Sequence, residues 1–178
     1  MPADSQEKII SIYPPNPATT MYHSAFSQAD PARLEDAWKS AICAGNTAFA
    51  ENQFAAALDS YRHAFSFASR LIRRRRGCRS LGIPFVPIYL ISCSNLGNTF
   101  AETRRLREAE SWFLRALHFA SIEYEPGSGG SDLRMAILNY CDFCDRTDRE
   151  PGDSVMQAAI RTALGEGAGL PVFSQAGG

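Results

Sequence analysis

Between Pro31 and Leu164, apolar side chains recur every three to four residues, the spacing that lays a single stripe along an α-helix. The pattern predicts six helices: Pro31 to Glu51, Phe54 to about Arg75, Pro87 to Thr103, Leu106 to Tyr124, Ser131 to about Arg146, and Asp153 to Leu164. Breaks fall at Glu51-Asn52-Gln53, at Gly77 to Val86, near Arg104, at Pro126 to Gly130 and at Pro151-Gly152. Asp30-Pro31 reads as a helix start, because an aspartate can cap free N–H groups and proline fits the first helical position. The short run Ile83-Pro84-Phe85-Val86 carries one proline and is followed by Pro87, which argues against a strand. Short connections between helices predict an all-α fold built from three antiparallel pairs.

The two ends lack this period. Residues 1–30, with Pro2, Pro14, Pro15 and Pro17, are expected to form an extended or partly disordered arm, and residues 31–164 the helical domain. Residues 165–178 hold five glycines and Pro171 and are expected to be a flexible tail.

A constant offset of 52 residues relates two stretches of the helical region. Gly45-Asn46-Thr47-Ala48-Phe49-Ala50-Glu51 falls on Gly97-Asn98-Thr99-Phe100-Ala101-Glu102-Thr103, and then Phe54 meets Leu106, Ala57 meets Ala109, Tyr61 meets Phe113 and Ala64 meets Ala116. Small residues at matching places allow two helices to approach within about 8–10 Å. A glycine inside a helix costs about 1 kcal/mol relative to alanine, so Gly45 and Gly97 point to a need for close contact. Tyr61 and Phe113 are then expected to fill the space between one pair and the next.

Cys93-x-x-Leu96-Gly97-x-x-Phe100, followed by Ala109-x-x-x-Phe113-x-x-Ala116, resembles the tetratricopeptide repeat (TPR) family, whose first helix reads W-x-x-L-G-x-x-Y. The first unit matches mainly on its second helix (Phe54, Ala57, Tyr61, Ala64), and the pair from Ser131 to Leu164 is degenerate, with Asn139-Tyr140 and Ala158-Ala159 as echoes. The family's spacing is about 34 residues. The extra residues here lie between the units, around Arg73 to Val86. The resemblance implies a right-handed superhelix of three helix pairs, a TPR-like α-solenoid with a concave face lined by the first helix of each pair. It further implies an adaptor or chaperone that binds a peptide, helix or disordered segment of a partner in that groove, and no enzymatic activity. The groove residues would be Lys39, Ile42, Asn46, Phe49, Ile91, Asn95, Asn98 and Glu102. Asn46 and Asn95 stand where some members place two asparagines of a clamp for a C-terminal carboxylate, but Ile42 replaces the lysine expected one turn earlier. An alternative is a self-associating structural protein whose residues 1–30 occupy its own or a neighbour's groove.

Composition narrows the setting. The 178 residues carry 18 basic and 19 acidic side chains, so no global field draws the chain to nucleic acid or an anionic membrane. No stretch reaches the roughly 18 consecutive apolar residues of a membrane span, and the N-terminus lacks the pattern of a secretory signal. Five cysteines, an odd number, fit a reducing cytoplasm better than a disulfide framework.

Arginine outnumbers lysine sixteen to two, and six arginines fall within ten residues: Arg70, Arg73, Arg74, Arg75, Arg76 and Arg79. One reading is a patch for an anionic partner, an acidic protein in preference to nucleic acid because no aromatic side chain interleaves the run. The other is a solvated helix end, where cations are favoured by the helix dipole. Cys141-Asp142-Phe143-Cys144 lacks a second ligand pair for zinc and a strand-to-helix setting for redox work, so structural thiols are expected. His63 and His118 are expected at helix surfaces, and Trp38 and Trp112 as packing anchors. No metal or cofactor is expected.

Overall fold

The computed structural model describes residues 30–125 and 130–151. The chain divides into Met1–Asp30 and Pro31–Gly178. The expected arm, the sixth helix from Asp153 to Leu164 and the tail all lie outside the described residues.

Every regular element among the described residues is a helix: α1 (Pro31–Ala50), α2 (Phe54–Arg73), α3 (Arg75–Ser80), α4 (Phe85–Glu102), α5 (Leu106–Ile122) and α6 (Ser131–Thr147). The all-α expectation is met. α2 buries the stripe Ala57, Leu58, Tyr61, Ala64, Ala68 and Leu71, and α5 buries Ala109, Phe113, Ala116, Leu117 and Ala120, each at the three- and four-residue steps of one helical face. α4 is buried on most sides, from Phe85 to Ala101, because α2, α5 and α6 all pack against it. α1 packs on α2 and α4 on α5, two hairpins closed by short turns, and α6 lies against α5 and α4.

Helix ends shift from the pattern by a residue or two, as at Arg73 where α2 stops short of Arg75, and one element was not expected. α4 begins at Phe85, two residues before Pro87, because the first-turn N–H groups of a helix have no intrahelical acceptor and a proline there loses nothing. α5 stops at Ile122 rather than Tyr124. The stretch expected to be a break holds α3, a single short helix that packs on the start of α1 and the end of α2, with Cys78 fully buried and its thiol donating to the Leu71 carbonyl at 3.4 Å.

Four of the helices stop in the same way. Asn52, Gly82, Arg104 and Asp148 each have positive φ, and the N–H of the following residue reaches back five positions, as Gln53 does to the Ala48 carbonyl (2.8 Å), Arg105 to Phe100 (2.9 Å) and Arg149 to Cys144 (3.0 Å). This satisfies carbonyls that would otherwise end the helix unpaired. The Arg149 side chain then binds Glu110 of α5, which also accepts from the Tyr140 hydroxyl, fixing the end of α6 to its neighbour.

The glycines expected to admit a neighbouring helix each admit a ring of that helix. A Cβ on Gly97 would stand 2.8 Å from Cε2 of Phe113, and one on Gly45 would collide with Cε1 and Cδ1 of Tyr61. Tyr61 therefore seats on the glycine of its own pair, and it also borders the hollow that Asn95 and Asn98 of the next pair line. Phe113 likewise rests on Gly97, and it stacks on Phe143 of α6 at 4.9 Å.

Candidate functional site

α1, α4 and α6 are joined side by side through buried or half-buried polar links. Trp38 Nε1 donates to Ser92 Oγ at 2.8 Å, and Ser92 in turn donates to the Ile88 carbonyl. Asn139 Nδ2 donates to Ser94 Oγ at 3.0 Å. Each link lets a polar group of one helix be buried against another without losing its hydrogen bond.

Along this row runs a shallow hollow of about 480 Å³. α1 contributes Asn46 and Phe49, α4 contributes Asn95, Asn98 and Glu102, α6 contributes Asp142 and Arg146, and the Tyr61 ring forms part of the floor. Asn46, Asn98 and Asp142 each stand six residues before a left-handed turn residue (Asn52, Arg104, Asp148), so they hold the same position in α1, α4 and α6.

The polar groups of the hollow hold one another in defined orientations. The Tyr61 hydroxyl donates to Asn46 Oδ1 at 2.8 Å, and burial pushes the phenol's pKa up, which keeps it a donor at neutral pH. Arg146 donates through Nη2 to Asn98 Oδ1 at 2.9 Å and through Nε to Asp142 Oδ2 at 2.8 Å, with Glu102 at 3.9 Å. A guanidinium only donates, so Asn98 must turn its carbonyl toward Arg146. Both amide carbonyls are thus occupied within the fold, and the two NH₂ groups are left for the open side. With two carboxylates and one guanidinium, the hollow carries a formal charge of about −1 at neutral pH.

Five of the eight residues assigned to a groove line this hollow: Asn46, Phe49, Asn95, Asn98 and Glu102. Lys39 is exposed on α1 and pairs with Glu35 at 2.8 Å, and Ile91 is exposed on α4; neither lines the hollow. Ile42 is 9% exposed and belongs to the core, because α2 covers that side of α1; its assignment to a surface is corrected. Tyr61, Asp142 and Arg146 were not foreseen. The register that identifies Asp142 runs through turns at Arg104 and Asp148, where a glycine would have marked the position and a charged residue does not.

The arginine run spans the end of α2 and the whole of α3. Arg75 pairs with Glu123 at 3.2 Å and Arg79 with Glu125 at 3.5 Å, so acids that follow α5 meet a run that has none of its own. Arg73 to Arg76 line a second hollow with Pro31 and Gly77. Arg70 lies in the last turn of α2.

All five cysteines are free thiols, and the described residues hold no cluster that could bind a metal. Burial raises the thiols of Cys78, Cys141 and Cys144, and that of Cys93 to about 12, which keeps them protonated and inert. His63 and His118 are exposed. Trp38 and Trp112 are half-buried against the core, Trp112 edge-on to Phe65 at 4.8 Å. Among the described residues, no helix is long and apolar enough to cross a membrane.

No curated protein and no solved structure matches the chain. A family model described as "Protein of unknown function (DUF2753)" matches residues 36–140, from the first turns of α1 into α6, and takes in every residue of the first hollow except Asp142 and Arg146. With more than half of its length matched, the chain belongs to the DUF2753 family.

Proposed function

We propose that this protein is a TPR-like interaction module, an adaptor or chaperone of the cytoplasm, in which α1, α4 and α6 line the concave face of a right-handed superhelix. The face holds an extended segment of a partner protein. The observation that carries this reading is the pair Asn46 and Asn98, 52 residues apart, whose carbonyls are engaged by Tyr61 and Arg146 and whose NH₂ groups remain for a ligand. Backbone carbonyls of an extended peptide are the acceptors such groups suit, since a helix has already used most of its own. Asn95 adds a third amide, and Phe49 an apolar contact beside it. Binding, rather than catalysis, suits side chains that are tied to one another in this way. Five free thiols fit a reducing compartment.

An unbiased array of short peptides probed with the full chain tests the reading. Peptides selected by the wild type should lose about 1–3 kcal/mol of affinity for the Asn46→Ala, Asn98→Ala double variant, the range for removing partners of desolvated polar groups. Titration calorimetry measures the difference, and equal affinities for the two proteins discard the groove.

A further inference from the structure

Four consecutive side chains of a straight helix point away from its axis about 100° apart. Arg73 to Arg76 do not share a straight helix. α2 ends at Arg73, Arg74 departs from helical geometry with φ −112° and ψ 24°, and α3 begins at Arg75. At this break all four arginines line one hollow of about 550 Å³, beside Pro31 and Gly77. Like charges gathered in this way repel one another unless anions join them.

The molecule already supplies two such anions. Glu123 and Glu125, two residues apart on the non-helical segment that follows α5, pair with Arg75 and Arg79. Arg73 and Arg76 are exposed and make no ion pair among the described residues. We propose that this hollow is a docking surface for an acidic polypeptide segment of another protein, with alternate carboxylates taking Arg73 and Arg76 as Glu123 and Glu125 take Arg75 and Arg79. The planar guanidinium fork matches a carboxylate with two parallel hydrogen bonds. Nucleic acid is the poorer fit, because none of the residues lining the hollow is an aromatic on which a base could stack. The surface is separate from the asparagine-lined hollow and shares no residue with it.

A labelled peptide of alternating Glu and Ala, titrated with the full chain by fluorescence anisotropy, tests the proposal. The peptide should bind, more weakly as salt is raised, and its Gln-Ala counterpart should not. Arg73→Glu with Arg76→Glu should weaken binding about tenfold or more, since each reversal replaces attraction by repulsion. The same charge change at two exposed arginines elsewhere, Arg107→Glu with Arg134→Glu, should have little effect. Circular dichroism checks that both variants fold, and Arg73→Gln with Arg76→Gln replaces the reversal if it does not. Failure of the Glu-Ala peptide to bind, equal losses in the two double variants, or tighter binding of a single-stranded RNA of equal charge would each overturn the proposal.

Discussion

At the scale of single residues, Gly97 shows how a helix-weakening residue becomes necessary. Alanine in its place would gain about 1 kcal/mol of helix propensity. The new Cβ would stand 2.8 Å from the Phe113 ring, which is 1% exposed and stacked on Phe143, so the ring has nowhere to go. Overpacking of this kind costs about 1–3 kcal/mol, enough to reverse the sign. Gly97→Ala is therefore expected to lower stability to urea by about 1 kcal/mol net, and Phe113→Leu in the same chain to restore part of it. A stabilised Gly97→Ala protein would mean that the ring yields. The sequence marks both partners, since Gly45 with Tyr61 and Gly97 with Phe113 share one offset. That each ring rests on the glycine of its own hairpin was not legible, because a side chain's direction depends on how two helices are rotated against each other.

At the scale of elements, the recurring left-handed turn is the informative feature. Arg104 is exposed and holds φ 60°, a conformation that costs an L side chain about 1–2 kcal/mol and glycine almost nothing. Arg104→Gly should raise stability by about 0.5–1 kcal/mol, less than the full relief because glycine also loosens the unfolded chain. Thermal unfolding measures this, and a loss of stability would show that the guanidinium contributes at this turn. Five of the six described helices were legible from the three-to-four residue period, because each buries a continuous stripe. α3 was not, since Arg75-Arg76-Gly77-Cys78-Arg79-Ser80 has one buried apolar residue and no stripe to read. Asp142 escaped notice in the same way, its register being set by a turn at an aspartate.

At the scale of the whole molecule, the described helices pack mainly on their neighbours along the chain, with α4 at the centre. Phe143 is fully buried, stacked between Phe113 and Tyr140, and its replacement by alanine should cost about 3–5 kcal/mol. In a structure stabilised by neighbour contacts the loss should stay local. Hydrogen exchange followed by mass spectrometry should show faster exchange in α5 and α6 of Phe143→Ala, with α1 little changed. Uniform acceleration from α1 to α6 would show that they open as one unit.

The order of apolar positions was enough to determine that the chain is helical, where most helices run and which two stretches repeat, because these follow from side-chain period and backbone geometry within one segment. The resemblance of that repeat to the TPR family is what singled out Asn46, Asn95 and Asn98 as residues of one face. Only the packed molecule decided that Ile42 is core, that Arg146 crosses from α6 to hold Asn98, and that four arginines line one hollow at a helix break. Those outcomes depend on the rotation and spacing of helices far apart in sequence, which are fixed when side chains interlock and are written in no single segment.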